Sequence, residues 1–257
     1  MTEPHVTTAA DAGGVYTITL NRASKRNAIS DRVLAALDQA WDAQPKGTRV
    51  VILCGSGEHF CAGLDLSEHQ HREPFAVVMH SQSWHRLFNR MHRSGIPIVA
   101  VMQGAVIGGG LELAATAHVR VAETSAIYQL PEGRHGIFVG GGASVRVARI
   151  LGPGRVCEMM LTGRVVNAED GQRLGLSHYL VGAGEGLAKA RELATRIAQN
   201  AALANFTIIT ALERIANMAT DDGLYVESLA AALTQTQPEV TTRIGEFLER
   251  KGKGPQS

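Results

Sequence analysis

Two short apolar runs, Arg49 to Cys54 (RVVILC) and Ile98 to Met102 (IVAVM), lead straight into glycine-containing segments, GSG and QGAVIGGG. A half-exposed strand alternates polar and apolar residues, so an unbroken apolar run of this length reads as a strand covered on both faces. After each glycine segment the chain takes on helical character, and the repeated order of strand, tight loop and helix implies a mixed α/β core. Val15 to Leu20 (VYTITL), bounded by Gly13-Gly14 and Asn21, adds a further strand. From Ser30, a residue suited to cap a helix, Val33, Leu34, Leu37 and Trp41 recur at helical spacing until Pro45, which predicts a helix of about three turns. Beyond Leu187 the chain becomes Ala-rich, with Leu187, Ala190, Leu193 and Ile197 on one helical face. The expected organisation is an α/β core carrying the site over residues 1–195 and a helical region over 196–257. The last stretch, FLERKGKGPQS, is basic and expected to fray. No internal repeat of residue identity is visible.

Composition removes several function classes. With 25 Lys+Arg against 24 Asp+Glu, the formal charge of +1 offers nothing to a polyanion, so neither nucleic acid nor an acidic membrane is an expected partner. Apolar stretches such as Ile96 to Val101 fall far short of the roughly 20 residues that span a bilayer, and the start MTEPHVTTAADAGG lacks a basic-then-apolar signal pattern. Three cysteines, Cys54, Cys61 and Cys157, without CxxC spacing suit a reducing compartment; a soluble, cytoplasmic protein is expected. There is no GxxxxGK[ST], the segment GAVIGGG lacks GxGxxG spacing, and no GxSxG elbow occurs. His59, His69, His71, His80, His85 and His92 follow no metal-ligand spacing, so they are expected as solvated surface residues and no metal site is expected.

The chemistry is sought in the clustered glycines. In FCAGLDL (Phe60 to Leu66) the small pair Ala62-Gly63 would let a ligand approach backbone N–H groups. In IGGGLEL (Ile107 to Leu113) three glycines stand at a helix start, where unpaired N–H groups favour an anion. Together the two segments could form an oxyanion hole; each alone is equally well explained by close backbone packing. Glu112 is the one charge in the run from Leu111 to Ala117, and is either an exposed dipole partner or an acid/base with a raised pKa. Glu132 follows Pro131 and precedes GIFVGGG (Gly136 to Gly142). Two carboxylates on one site could hold and activate a water, one as base and one as acid. Spacing does not show that they converge.

Five blocks in order, ITLNRASKRNAIS, GSGEHFCAGLDL, IPIVAVMQGAVIGGGLELAATAHVRVA, LPEGRHGIFVGGGASVRVARILG and LTGRVVNAEDGQRLGLSHYLV, resemble the crotonase (enoyl-CoA hydratase/isomerase) superfamily over most of the chain. The resemblance implies a spiral of ββα units with a C-terminal helical trimerisation region, assembled as a homotrimer or as a hexamer of two trimers. It implies an acyl-CoA thioester substrate, no cofactor beyond the CoA that the substrate carries, and a thioester oxygen held by the backbone N–H groups of Leu64 and Gly109. Glu112 and Glu132 match the two glutamates of the hydratases, Glu112 holding the water and Glu132 exchanging a proton with the α-carbon. The implied reaction adds water across the 2,3-double bond of a trans-2-enoyl-CoA. Gly140 matches a glycine whose N–H lies near the thioester at a helix start. CoA contacts are implied at Arg22, Lys25 and Arg26, at the backbone of Cys61, Ala62 and Gly63, at Asp65, and at Lys251 from a neighbouring subunit. Leu66, Gly108, Tyr128, Pro131, His135 and Phe138 are expected around the acyl group, along with other residues between Leu66 and Phe88, of which 67–80 form a mobile stretch. Arg134 and His135 depart from the apolar residues usual after the second glutamate and raise the alternative of a specialised substrate. Other crotonase-type reactions (isomerisation, a specialised dehydration, or C–C or thioester hydrolysis) and a non-catalytic acyl-CoA binder are the remaining alternatives.

Overall fold

The computed structural model describes residues 3–68, 73–238, 240–242, 244, 245 and 248. The chain divides into two compact units, Met1–Ala198 and Gln199–Ser257. Strands run along the chain as β1 (Val6–Ala10), β2 (Val15–Leu20), β3 (Val50–Gly55), β4 (Ile98–Met102), β5 (Ala105–Ile107), β6 (Val119–Glu123), β7 (Ile127–Gln129), β8 (Val166–Asn167) and β9 (Tyr179–Val181). Helices are α1 (Asp31–Asp42), α2 (Pro74–His92), α3 (Gly109–Ala114), α4 (Arg146–Leu151), α5 (Pro153–Thr162), α6 (Ala168–Arg173), α7 (Gly186–Gln199), α8 (Ala202–Ile215) and α9 (Thr220–Gln235). The division expected after residue 195 falls inside α7.

In the first unit a six-stranded sheet has the order β1-β2-β3-β4-β6-β9. Only the β1–β2 pair is antiparallel; the other neighbours are parallel. β3 and β4 lie in the middle, which is why both read as unbroken apolar runs: each face has its own cover. Tyr16, Ile18, Leu20, Val51 and Leu53 face one core with Leu37 and Trp41 of α1 and Phe88 and Met91 of α2. Their neighbours Val15, Val50, Ile52, Val99 and Val101 face a second core closed by Ala190, Leu193 and Ala194 of α7. The period-two alternation of strands is thus present, with both sides apolar. Ser30 caps α1 as its sequence suggests, its Oγ accepting from the Val33 N–H at 3.3 Å.

A smaller sheet, β5-β7-β8, forms a second layer. Single parallel bridges Cys61↔Val106 and Ile29↔Leu64 extend it. The chain therefore repeats one unit: a strand of the large sheet, a short extended segment of the second layer, then a helix. β2, Ile29 and α1 make the first turn; β3, Cys61 to Leu64 and α2 the second; β4, β5 and α3 the third; β6, β7 and α4 the fourth. This is a spiral of ββα units, and each turn delivers one loop to the same edge of the second layer.

Of the stretch expected to be mobile, 67–80, the described residues belong to two elements or flank them. Leu66–Glu68 is a single 3-10 turn and residues from Pro74 form α2; His69 and His71 lie outside the described residues. Three other histidines are structural rather than solvated. His59 Nδ1 accepts the Ala105 N–H at 3.1 Å, His80 bonds Asp31, and His92 reaches the Thr116 carbonyl while stacking on His118. Among the described residues no group of His, Cys, Asp and Glu is arranged to hold a metal ion, and no helix is long and apolar enough to cross a membrane.

The second unit contains α8 and α9, which pack against each other. Phe206, Ile208 and Leu212 of α8 and Leu224, Tyr225, Leu229 and Leu233 of α9 are exposed.

Candidate active site

The third and second turns of the spiral meet at two backbone amides. Gly108 follows β5 with φ +49 and ψ −118, a conformation that residues with a side chain avoid, and its N–H donates to the Gln129 carbonyl at 2.9 Å. That turn makes Gly109 the first residue of α3, where an N–H has no partner within the helix. Gly63, at φ +91, turns the chain so that Leu64 N faces Gly109. A Cβ on Gly63 would sit 2.7 Å from the Ile107 carbonyl oxygen, and one on Gly109 would sit 2.8 Å from the Trp84 ring, so both positions require glycine. Neither the Leu64 nor the Gly109 N–H donates to a protein acceptor among the described residues. Both line a cavity of about 300 Å³. Two amides converging on one point make a receptor for a developing oxyanion.

Both glutamates face the same cavity. Glu112 belongs to α3 and is buried. Its Oε1 accepts the Gly141 N–H at 2.8 Å and the Ala143 N–H at 2.9 Å, which ties α3 to the loop before α4. Burial pushes its pKa up, against the opposing effect of those amides and of Arg146. Glu132 stands in a 3-10 turn, Glu132–His135, after β7. Its pKa is pushed up to about 7, first by burial and then by the negative charge of Glu112, while its own backbone N–H acts the other way. Glu132 Oε2 is buried without a protein partner, so it is available to a bound molecule. Two carboxyls that resist being ionised together can share out the work of one acid and one base near neutral pH. Glu132 Oε1 lies 2.8 Å from where a Cβ on Gly108 would be, which puts the acid beside the amide pair.

The cavity brings together most of the residues expected there: Ala62 to Leu66, Gly108 and Gly109, both glutamates, Pro131, His135, Phe138 and Gly140. Trp84, Ser81, His80 and Ser30 also line it. The expectation covered the region of the first three but singled out none of them, and Ser30 read only as a cap. Trp84 is the floor, its ring 2.8 Å from a Cβ placed on Gly109 and 3.1 Å from one on Gly141.

Tyr128 and Cys61 stand apart from the cavity, and several other expected residues have protein partners of their own. Tyr128 does not line the cavity: its residue is fully buried, and its ring packs over Gly171, where a Cβ would be 2.2 Å away, because β7 turns that side chain into the core. Cys61 is also buried, with its N–H and carbonyl consumed by Ala105 and Ile107 and its thiol pushed up to about 12 by burial. Gly140 does not begin a helix; α4 starts at Arg146, and the Gly140 carbonyl accepts from Ser81 Oγ at 2.6 Å. Arg22 is paired with Asp65. Asp65 also accepts from Ser67 Oγ, and these partners hold its carboxyl below the usual range. Lys25 and Arg26 occupy an exposed 3-10 turn and its cap and do not line the cavity, although the Arg26 carbonyl accepts the Ala62 N–H at 2.9 Å. Arg134 donates twice to the Thr162 carbonyl at the end of α5 and does not line the cavity, whereas His135 does. Lys251 lies outside the described residues.

A ββα spiral with paired amides and two carboxyls in one cavity defines an enzyme of the crotonase type. The chain belongs to the enoyl-CoA hydratase/isomerase family, whose model matches residues 10–254. It is 30% identical over 221 residues to the enoyl-CoA hydratase EchA19 of Mycobacterium tuberculosis, covering 84% of this chain and 83% of the relative. It is 34% identical over 230 residues to the enoyl-CoA isomerase/hydratase fer4 of Mycosarcoma maydis, covering 85% and 84%. Among solved structures, a provisionally named enoyl-CoA hydratase from Rhodopseudomonas palustris superposes with a TM-score of 0.93 at 48% identity, over 98% of this chain and 97% of that one.

Proposed function

We propose that this protein hydrates a trans-2-enoyl-CoA to the 3-hydroxyacyl-CoA. The observation that carries the reading is the pair of raised carboxyls beside the pair of free amides. The thioester oxygen lies between the Leu64 and Gly109 N–H groups, which draw electron density from the conjugated double bond. Glu112, held in place by the Gly141 and Ala143 amides, takes a proton from water as the water oxygen bonds to the β-carbon. The negative charge that appears on the thioester oxygen is stabilised by the two amides. Glu132, protonated up to about pH 7, gives its proton to the α-carbon. Atoms balance: one hydroxyl and one hydrogen are added, and the proton left on Glu112 returns to Glu132 through solvent. Syn addition is what the resemblance to the hydratases implies for this pair of acids.

Loss of the enoyl-thioester absorbance on adding enzyme to crotonyl-CoA tests this directly. Rapid loss is expected; no loss with CoA esters still binding overturns it and favours the isomerase chemistry that the fer4 relative's name includes. No cofactor other than the substrate's own CoA is needed by this route. Lys25 and Arg26, the latter bonded through its carbonyl to the Ala62 N–H, are the cations we assign to the CoA phosphates.

The exposed apolar residues of α8 and α9 fit burial between copies of this chain, as a homotrimer or a hexamer of two trimers. Light scattering is expected to give three or six times the 27.4 kDa chain mass. A monomer at micromolar concentration would overturn the assembly.

A further inference from the structure

Of the four backbone amides from Ala62 to Asp65, three are used by the protein. The Ala62 N–H donates to the Arg26 carbonyl at 2.9 Å, the Gly63 N–H to Cys61 Sγ at 3.4 Å and the Asp65 N–H to the Ile29 carbonyl at 3.0 Å. Among the described residues only the Leu64 N–H is left for a ligand. Its direction is fixed from both sides, because the Ile29 N–H also donates to the Gly63 carbonyl at 2.7 Å.

The next side chain is at odds with that purpose. Asp65 follows Leu64 directly, is buried and lines the same cavity. Its Oδ1 accepts from Ser67 Oγ at 2.6 Å and from the Ser67 N–H at 3.0 Å, and these bonds together with Arg22 keep the carboxyl below its usual range and ionised at neutral pH. A fixed negative charge next to an amide that must stabilise a second one opposes catalysis unless a cation cancels it. Among the described residues no lysine or arginine lines the cavity, so the cancelling charge comes from outside it. Arg22 supplies it: its Nη1 donates to Asp65 Oδ2 and to the Ala28 carbonyl at 3.3 Å. Asn27 anchors Arg22 in turn, its Oδ1 accepting the Arg22 N–H at 2.8 Å while its Nδ2 donates to the Ser56 and His59 carbonyls at 2.9 and 2.7 Å.

Resting on the thioester reading above, we propose that Arg22 is a positioning residue of the oxyanion hole: by pairing with Asp65 it cancels the carboxylate charge next to the Leu64 N–H and lets that amide take up the charge of the reacting thioester oxygen. Asp65 holds the segment after Leu64 through Ser67, and Arg22 removes the electrostatic cost of having a carboxylate there.

The probe is para-dimethylaminocinnamoyl-CoA, a conjugated thioester whose absorption moves to longer wavelength as its carbonyl oxygen gains negative charge, so it reads the hole without turnover. At saturation the wild type should shift it to the red. Arg22→Gln keeps a polar side chain without the charge; it should lose more than about half of that shift and lower kcat for crotonyl-CoA by about tenfold or more, with KM little changed. Arg22→Lys keeps the charge and should retain most of the shift. Adding Asp65→Asn to Arg22→Gln removes the uncompensated carboxylate and should restore both shift and kcat, whereas a merely structural Arg22 predicts further loss, since the double variant strips more bonds from the same segment. The shift is recorded on folded, ligand-saturated protein, so a drop in stability does not imitate it. If Arg22→Gln alone fails to fold, the double variant, neutral at both positions, decides: it should shift the probe as the wild type does, and a lost shift overturns the proposal. An unchanged shift in Arg22→Gln, or a loss that Asp65→Asn does not restore, overturns the proposal while leaving the thioester reading standing. No red shift in the wild type overturns the oxyanion hole itself.

Discussion

Glu132→Gln is expected to lower kcat for crotonyl-CoA by about 10²–10⁴-fold, the range spanned by positioned acid–base groups. Glutamine keeps the shape of the side chain, so affinity for butyryl-CoA should change little. What it removes is the proton. With its pKa pushed up to about 7, Glu132 holds a proton at neutral pH that an exposed glutamate would have lost. The same shift fixes the sign of two pH effects. Hydration by the wild type should decline as pH rises through about 7, because the acid that protonates the α-carbon is then ionised. Folding should respond in the same direction: unfolded Glu132 ionises near its ordinary value of 4.5 while the folded group holds its proton to about 7, so stability is full below 4.5 and is lost as pH rises through 7. Glu132→Gln abolishes that loss, and its thermal midpoint relative to wild type should increase as pH rises from about 4.5 to about 7 and level off above. A drop in kcat smaller than tenfold would remove Glu132 from the proton path.

The parts of this site that were legible in the sequence are those where backbone geometry dictates residue type. Gly63, Gly108 and Gly109 announce themselves because a Cβ would collide with the Ile107 carbonyl, the Glu132 carboxyl and the Trp84 ring respectively, and clusters of glycine have few other uses. β3 and β4 were legible for a related reason, since only a doubly covered strand is apolar throughout. The second layer was not. β5 and β7 are three residues long, β8 is two, and Ile29, Cys61 and Leu64 contribute single bridges, so no period exists to be read and the ββα repeat came only from family resemblance. Tyr128 was misplaced for the same reason: which way a side chain points in a three-residue strand depends on its partner strands. α2 was masked by its own first turns, where Phe75, Val77, Val78 and Met79 are all exposed and blur the helical stripe. That in turn hid Trp84 and left His80 read only as a surface histidine. Convergence of Glu112 with Glu132 is a tertiary fact, created by the third and fourth turns of the spiral ending at one edge.

Gly109→Ala is expected to cost about 10²–10³-fold in kcat/KM, the typical effect of losing one oxyanion-hole donor. The backbone of Gly109 is ordinary helix, which alanine prefers, so the effect comes from space alone. A methyl there would sit 2.8 and 3.0 Å from two carbons of the Trp84 ring. The ring has little room to retreat. The adjoining ring carbon lies 3.1 Å from where a Cβ on Gly141 would be, and Phe88 meets the ring edge-on with centroids 5.5 Å apart. The start of α3 must therefore back away, carrying the Gly109 N–H out of line with Leu64 N. A displacement of a few tenths of an ångström suffices, because the hole works only if both donors point at the place where charge develops. The steric origin can be separated from a general loss of fold. Gly109→Ala combined with Trp84→Leu replaces the obstructing ring by a smaller side chain, and should recover part of the lost kcat/KM even though it removes a buried aromatic residue. Butyryl-CoA, whose thioester carries no developing charge, should bind Gly109→Ala with far less loss than the loss in kcat. If Gly109→Ala turned over crotonyl-CoA within threefold of wild type, the oxyanion would have to be stabilised elsewhere, and the two amides would revert to a packing feature.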